Sequence, residues 1–176
     1  MAPDASLRYP IGRFEHTGSV TRADRDAWVD DIAALPGAFR SALADVPAEA
    51  LDTPYRPGGW TLRQVIHHVP DSHLNAFIRF KWALTEDEPT IKPYDEKAWA
   101  TLPDVEATPV RTSLDMLDAL HARWALLLRR LDEADWARTL QHPDSGRQRL
   151  DVLAGHYAWH GRHHLAHVTT ALGQAT

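Results

Sequence analysis

A chain of 176 residues, 44% hydrophobic and 24% charged, has the length and balance of a single globular domain, residues 1–176, able to bury a core without staples. It holds no cysteine, so disulfides, thiolate metal sites and a cysteine nucleophile are excluded. A formal charge of −5 gives no basic face for nucleic acid, and no apolar run approaches the roughly 20 residues of a membrane span.

The opening "MAPDASLRYP" lacks the basic start and apolar core of a signal peptide, so the expected location is the cytoplasm. Four stretches carry helical periodicity, and none alternates for long in the manner of a strand. The first is "SVTRADRDAWVDDIAALPGAFRSALADV", with Thr21 as N-cap and Asp24 three residues on. Trp28, Ile32, Leu35, Phe39 and Leu43 recur at spacings of three and four, which makes a buried stripe. Pro36 is expected to kink or divide this helix.

"TPYRPGGWTLRQ" breaks the chain and restarts it, with Thr61 and Gln64 as the capping box of a second helix, "LRQVIHHVPDSHLNAFIRFKWALTE". Pro70 is expected to kink it early. The polar connection that follows, "DEPTIKPYDEKAWATLPDVEATPVR", runs for about 25 residues, longer than the usual link between helices. It predicts a crossover between the second and third helices, and its "IKPYDEKAW" is expected to fold over the mouth of a site.

The third helix should begin near Thr112 or Ser113 and include "LDMLDALHARWALLLRRL". A short helical stretch around residues 134–139 and a turn at "QHPDSGRQ" precede a fourth helix starting near Leu150. Gly155 and Gly161 lie inside that helix, each at a cost of roughly 1 kcal/mol relative to alanine, which points to close approach of another helix or a ligand. Trp60, Trp82, Trp99, Trp124 and Trp159 read most simply as core and interface aromatics. The pattern is all-α, a four-helix bundle with one long crossover.

The fourth helix carries "YAWHGRHHLAHV". His160 and His164 are four apart, so their imidazoles stand one turn above each other on one face and can reach one metal ion. His163 and His167 extend the same broad face, and His156 lies one turn before His160. The spacing is shared with the zinc peptidase motif H-E-x-x-H, but Gly161 stands where that motif has its base, so the peptidase reading is discarded.

A third ligand must come from another helix. "HHVPDSH" on the second helix offers His67, His68 and His73. His67 and His68 point about 100° apart, so one of the pair can face a given centre, and spacing leaves the choice between them open. Three neutral imidazoles suit one divalent ion per chain, Zn²⁺ foremost and Ni²⁺ as the alternative. With no fourth protein ligand the site keeps an open position, as catalytic rather than structural sites do. The competing expectation is a bundle that binds metal without turnover.

The whole chain resembles the DinB-like superfamily, in particular its YfiT-type branch. The likeness is carried by "YPIGRFE", "LDTPYRPGGWTLRQVIHHVPDSH", "IRFKWALTEDEPTIKPYDEKAW", "LHARWALLLRRL" and "YAWHGRHHLAHV". The resemblance implies a four-helix bundle with a metal held by one histidine of the second helix and two of the fourth. It places the first ligand eight positions after the tryptophan that opens the second helix, which from Trp60 is His68, and the others at His160 and His164. It further implies a metal-dependent hydrolase, or a transferase joining a low-molecular-weight thiol, bacillithiol, to electrophiles, and a homodimer. Pro70 departs from the family pattern, where small residues are usual.

A three-histidine Zn²⁺ can bring the pKa of bound water to about 7, or hold a substrate thiol as thiolate. The partners expected are therefore a small thiol, an electrophilic compound, or both. Asp71, three residues after His68, is the candidate general base or a residue orienting a ligand, against the plainer role of an ordinary polar residue. His67, Asn75, Arg79 and His163 are candidates for touching substrate or supporting the ligands, and Arg79 can clamp a carboxylate with two hydrogen bonds.

Overall fold

The structure is a computed structural model and describes residues 3–174. Its long helices are α2 (Arg22–Leu43), α3 (Leu62–Thr85), α6 (Val110–Leu128) and α8 (Leu150–Ala171). Shorter pieces are α1 (Pro3–Arg8), a 3₁₀ turn (Ala48–Asp52), α4 (Glu96–Trp99), α5 (Pro103–Ala107) and α7 (Glu133–Trp136), with β1 (Thr139–His142) and β2 (Gly146–Arg149) before α8. Among the described residues no helix is long and apolar enough to cross a membrane.

Both capping boxes form as their spacing requires. The Thr21 hydroxyl accepts from the Asp24 amide at 3.2 Å while Asp24 takes the Thr21 amide at 2.9 Å. Thr61 and Gln64 repeat the arrangement at 3.2 and 2.9 Å. Neither Pro36 nor Pro70 ends its helix; both are buried in helices of 22 and 24 residues that run on past them. α6 starts slightly earlier than the hydroxyl residues Thr112 and Ser113 signalled, because Pro109, with φ −57°, serves as its N-cap.

The contacts fix the direction of each helix. His67 meets Ser113, His73 meets His121 and Phe80 meets Trp124, so α3 and α6 run parallel side by side. Arg79 meets Tyr157 and His68 meets His160, so α8 runs antiparallel to α3. Gly155 and Gly161 lie against Trp28 and Leu35, so α2 and α8 are parallel. Arg40 reaches Asp118 and Arg129 reaches Asp30, which makes α2 and α6 antiparallel. Going round the bundle the order is α2, α8, α3, α6, and the sense is up, down, down, up along the chain.

Two parallel neighbours joined in sequence need a link that travels back along their whole length, and residues 86–109 supply it. This is the crossover that the length of the segment predicts. Gln64 donates to the Ala100 carbonyl at 2.9 Å and pins the returning chain to the start of α3.

The segment before α8 departs from the sequence expectation, since the helical stretch expected at 134–139 is helix α7 only to Trp136 and Thr139 begins a strand. "QHPDSGRQ" is a turn, as expected, but its flanks are strands: Thr139 pairs with Arg149 and His142 with Gly146 in an antiparallel hairpin. Gly146 takes φ +77°, the left-handed conformation that closes a three-residue hairpin loop. Strands of four residues with only Leu140 fully buried carry too short an alternation to be read. The hairpin holds the crossover through Ile91 N–H to the Gln141 carbonyl and Gln141 N–H to the Pro89 carbonyl, both 2.9 Å.

The core has two apolar parts. One gathers Ile32, Phe80, Trp124, Leu128, Leu150 and Ala154; the other gathers Leu35, Phe39, Leu62, Ile66, Leu117 and Val168. Between them, on three helices, sits a layer of buried histidines.

Candidate metal centre

α3 contributes His68 to this layer, and α8 contributes His160 and His164 from successive turns. One ring nitrogen from each comes within 4.8 Å of the others. His68 Nε2 and His160 Nε2 are 3.4 Å apart. Burial pushes the pKa of His68 down to about 4, and it carries those of His160 and His164 well below the ordinary value, with the neighbouring imidazoles adding to the effect. All three rings are therefore neutral at pH 7, the form in which histidine binds metal.

The protons on two of the three rings, His160 and His164, are fixed by backbone carbonyls at some distance. The Ile32 carbonyl can only accept, so His121 donates to it from Nδ1 and keeps its lone pair on Nε2. His73 then donates from Nδ1 to His121 Nε2 at 2.9 Å, and His160 donates from Nδ1 to His73 Nε2 at 3.1 Å. His160 is left with its lone pair on Nε2, which faces His68.

A second, shorter chain does the same for His164. The Arg8 carbonyl accepts from His167 Nε2 at 3.2 Å, and His167 Nδ1 lies 3.4 Å from His164 Nδ1. His164 therefore donates from Nδ1, and its Nε2 carries the free pair. Burial holds His73 well below its ordinary pKa and His121 and His167 at about 4, so neutral imidazoles occupy every position in both chains. Two rings with a free lone pair thus stand beside a third imidazole, with one nitrogen of each within 4.8 Å of the others. One proton from His68 can satisfy only one of them; a divalent cation satisfies all three. The residues fit a metal ion.

The centre lies in the wall of a cavity of about 750 Å³. Trp60 packs on His68 with ring centres 4.8 Å apart, and Tyr55 stacks on His167 at 4.0 Å. Pro93, Tyr94, Glu96 and Lys97 of the crossover also line the cavity, so "IKPYDEKAW" reaches the site. Asp95 caps the short helix of that segment, its carboxylate accepting from the amides of Lys97 and Ala98 at 3.0 and 2.9 Å.

Of the other residues singled out in the sequence, Arg79 and His163 line the cavity. Arg79 donates to the Tyr157 hydroxyl at 3.2 Å, and His163 stacks on Trp159 at 4.6 Å. His67, Asp71 and Asn75 are not brought there. His67 Nδ1 turns to the Ser113 hydroxyl of α6 at 2.7 Å. Asn75 donates to the Asp71 carbonyl at 2.9 Å. Asp71 is displaced by helical geometry: three positions on, it is rotated about 60° from His68, whereas Ser72 is rotated about 40° to the other side and takes the place in the wall. Burial, with Asp104 adding, raises the Asp71 carboxyl to about 6.

Sequence reasoning gave no role to His121, Ser72, Tyr94 or Tyr157. His121 stands in "LHARW" on the third helix without a histidine at helical spacing, so nothing local marked it. Tyr94 had a signal, since it belongs to the segment expected to cover the site.

A parallel pair of helices joined by a long crossover, with a three-histidine centre across α3 and α8, defines the class, and the chain belongs to the DinB superfamily, whose profile matches residues 22–168. Among its relatives is a Bacillus mycoides (strain KBAB4) protein named "Putative metal-dependent hydrolase", 54% identical over 164 residues and covering 93% of this chain and 94% of that protein. A Bacillus cereus (strain B4264) protein of the same name has equal identity and coverage. Of solved structures, YfiT from Bacillus subtilis matches with a TM-score of 0.91 and 41% identity over 97% of this chain and 99% of that one. It is described as "a probable metal-dependent hydrolase with an unusual four-helix bundle topology".

Proposed function

We propose that the protein is a metal-dependent hydrolase in which His68, His160 and His164 hold one divalent ion, Zn²⁺ or Ni²⁺, at the wall of the substrate cavity. The observation that carries this is the convergence of three neutral imidazoles, two with protonation fixed by backbone carbonyls, beside a cavity large enough for a small molecule. An ion held there supplies Lewis acidity, which polarises a substrate carbonyl and lowers the pKa of a nucleophile brought to it.

The chain's own groups do the rest. Tyr94 is held protonated by burial, its pKa pushed up to about 12, and burial raises Tyr157 as well. Both phenols interact with the Ser72 hydroxyl, which makes a row of hydroxyl donors along the cavity for the oxygens of a substrate. Pro93, Glu96 and Lys97 of the crossover line the cavity beside this row.

A second reading, transfer of a small thiol to an electrophile, is favoured by one observation. Asp71, the candidate for a general base, is not among the residues that line the cavity. A thiol, with a pKa of about 8.5, needs far less help to ionise than water does. Purified protein loaded with Zn²⁺ or Ni²⁺ and offered ester and amide substrates, and separately bacillithiol with monochlorobimane, distinguishes the two. Turnover in either assay should vanish with chelator and in His160→Ala/His164→Ala. Turnover that persists in that variant would mean that the three-histidine centre is not catalytic.

A further inference from the structure

We infer that Arg79 is the anchor of an anion subsite in the cavity, and that the substrate carries a carboxylate or phosphate group several bonds from its reacting atom. This rests on the enzyme reading above and names the substrate class for the same cavity.

Arg79 belongs to α3, is 8% exposed, and lies in the wall of the cavity that holds the histidine centre. A guanidinium carries five N–H donors and a full charge. Here it has one hydrogen bond, to the Tyr157 hydroxyl, and among the described residues no carboxylate lies within ion-pair distance of it. The other buried arginine of the described residues shows the contrast: Arg25, 7% exposed, is held by both oxygens of Glu133.

A buried cation is normally paired because desolvation is costly, and an unpaired one at a cavity wall is a place where an anion gains more than it does in water. The surroundings agree in sign. Arg8, Arg56, Arg79 and Lys97 line the cavity against Glu96 and Asp144, in a chain whose overall charge is −5. The planar fork can donate to two oxygens of one carboxylate or phosphate, and the Tyr157 hydroxyl stands beside it.

Position relative to the centre sets the length of the ligand. Arg79 is eleven residues from His68 on one helix, about 16 Å along its axis, and its long side chain reaches back to Tyr157, whose ring lies 5.8 Å from that of His160. A substrate bound at both points must therefore span several bonds between its anionic and reacting ends.

The test is calorimetric titration of the full chain, as purified and after chelation, with hexanoate, hexyl phosphate and hexanol. The two anions share the chemistry of the subsite, and the tighter one identifies its source. At least one anion should bind tenfold or more tightly than hexanol, and should keep that preference after chelation. Arg79→Gln should bring it to the level of hexanol with hexanol binding unchanged, which also reports an intact fold. Arg79→Lys, which keeps the charge but not the fork, should retain part of the preference. A preference that disappears with chelation, or that survives Arg79→Gln, overturns the proposal.

Discussion

The protonation of His160 and His164 is decided by atoms that never touch a metal. Ile32 and Arg8 offer main-chain carbonyls, and these acceptors force the hydrogens of the intervening imidazoles into one order. Without His73 the His160 ring loses the acceptor for Nδ1–H, and both its orientation and its tautomer become free. His73→Phe, close in size at a site with no exposed surface, should therefore weaken Zn²⁺ or Co²⁺ binding about 10–100-fold, the usual effect of removing a partner that orients a metal ligand. Competition against a chromophoric chelator measures this directly. A ¹⁵N spectrum of the imidazoles should show the His160 tautomer mixed in the variant and single in the wild type. At this scale the pair His160 and His164 was legible, the choice of His68 over His67 was not, and neither was the support behind the pair. His160 and His164 are a local pair on one helix, whereas each chain behind them ends on a carbonyl that every residue has, so no side-chain pattern announces it.

At the scale of elements, α8 is held close to α2 by the absence of a side chain. A Cβ built on Gly161 would stand 2.4 Å from Leu35 Cδ2, and Leu35 is 4% exposed with little room to move. Alanine in an open helix would be more favourable than glycine by about 1 kcal/mol. Here overpacking opposes that gain, and Gly161→Ala should destabilise the fold by about 1–3 kcal/mol. Urea unfolding of Gly161→Ala, Leu35→Ala and the double variant provides the check: the double should be less destabilised than the sum of the singles, because the added methyl fills the space that Leu35 vacates. The sequence disclosed this approach because two glycines inside an amphipathic helix contradict its own propensity. It disclosed both capping boxes for a similar reason, each being complete within four residues. The hairpin stayed hidden, since its stability comes from pairing with the crossover at Pro89 and Ile91, far away in sequence.

Across the whole molecule, the crossover was legible from its length, yet the order of helices around the bundle was not. That order depends on α2 and α3, consecutive along the chain, lying on a diagonal rather than side by side, and on α6 and α8 doing the same. The arrangement has a consequence for stability. α3 and α8 meet at a layer of neutral histidines set between two apolar clusters, where lone pairs face one another. An ion bound there joins the two helices, and it binds the folded chain only, because the ligands are separated by some ninety residues in the unfolded one. At a metal concentration about 1,000 times the dissociation constant the added stability is about 4 kcal/mol, which for a chain of this size raises the melting temperature by roughly 8–16 °C. Thermal unfolding with and without Zn²⁺, followed by chelation, should show that rise and its reversal. His68→Ala should abolish most of it, since the remaining pair both lie on α8 and no longer tie it to α3. A full rise in His68→Ala would place the ion on α8 alone and remove α3 from the centre.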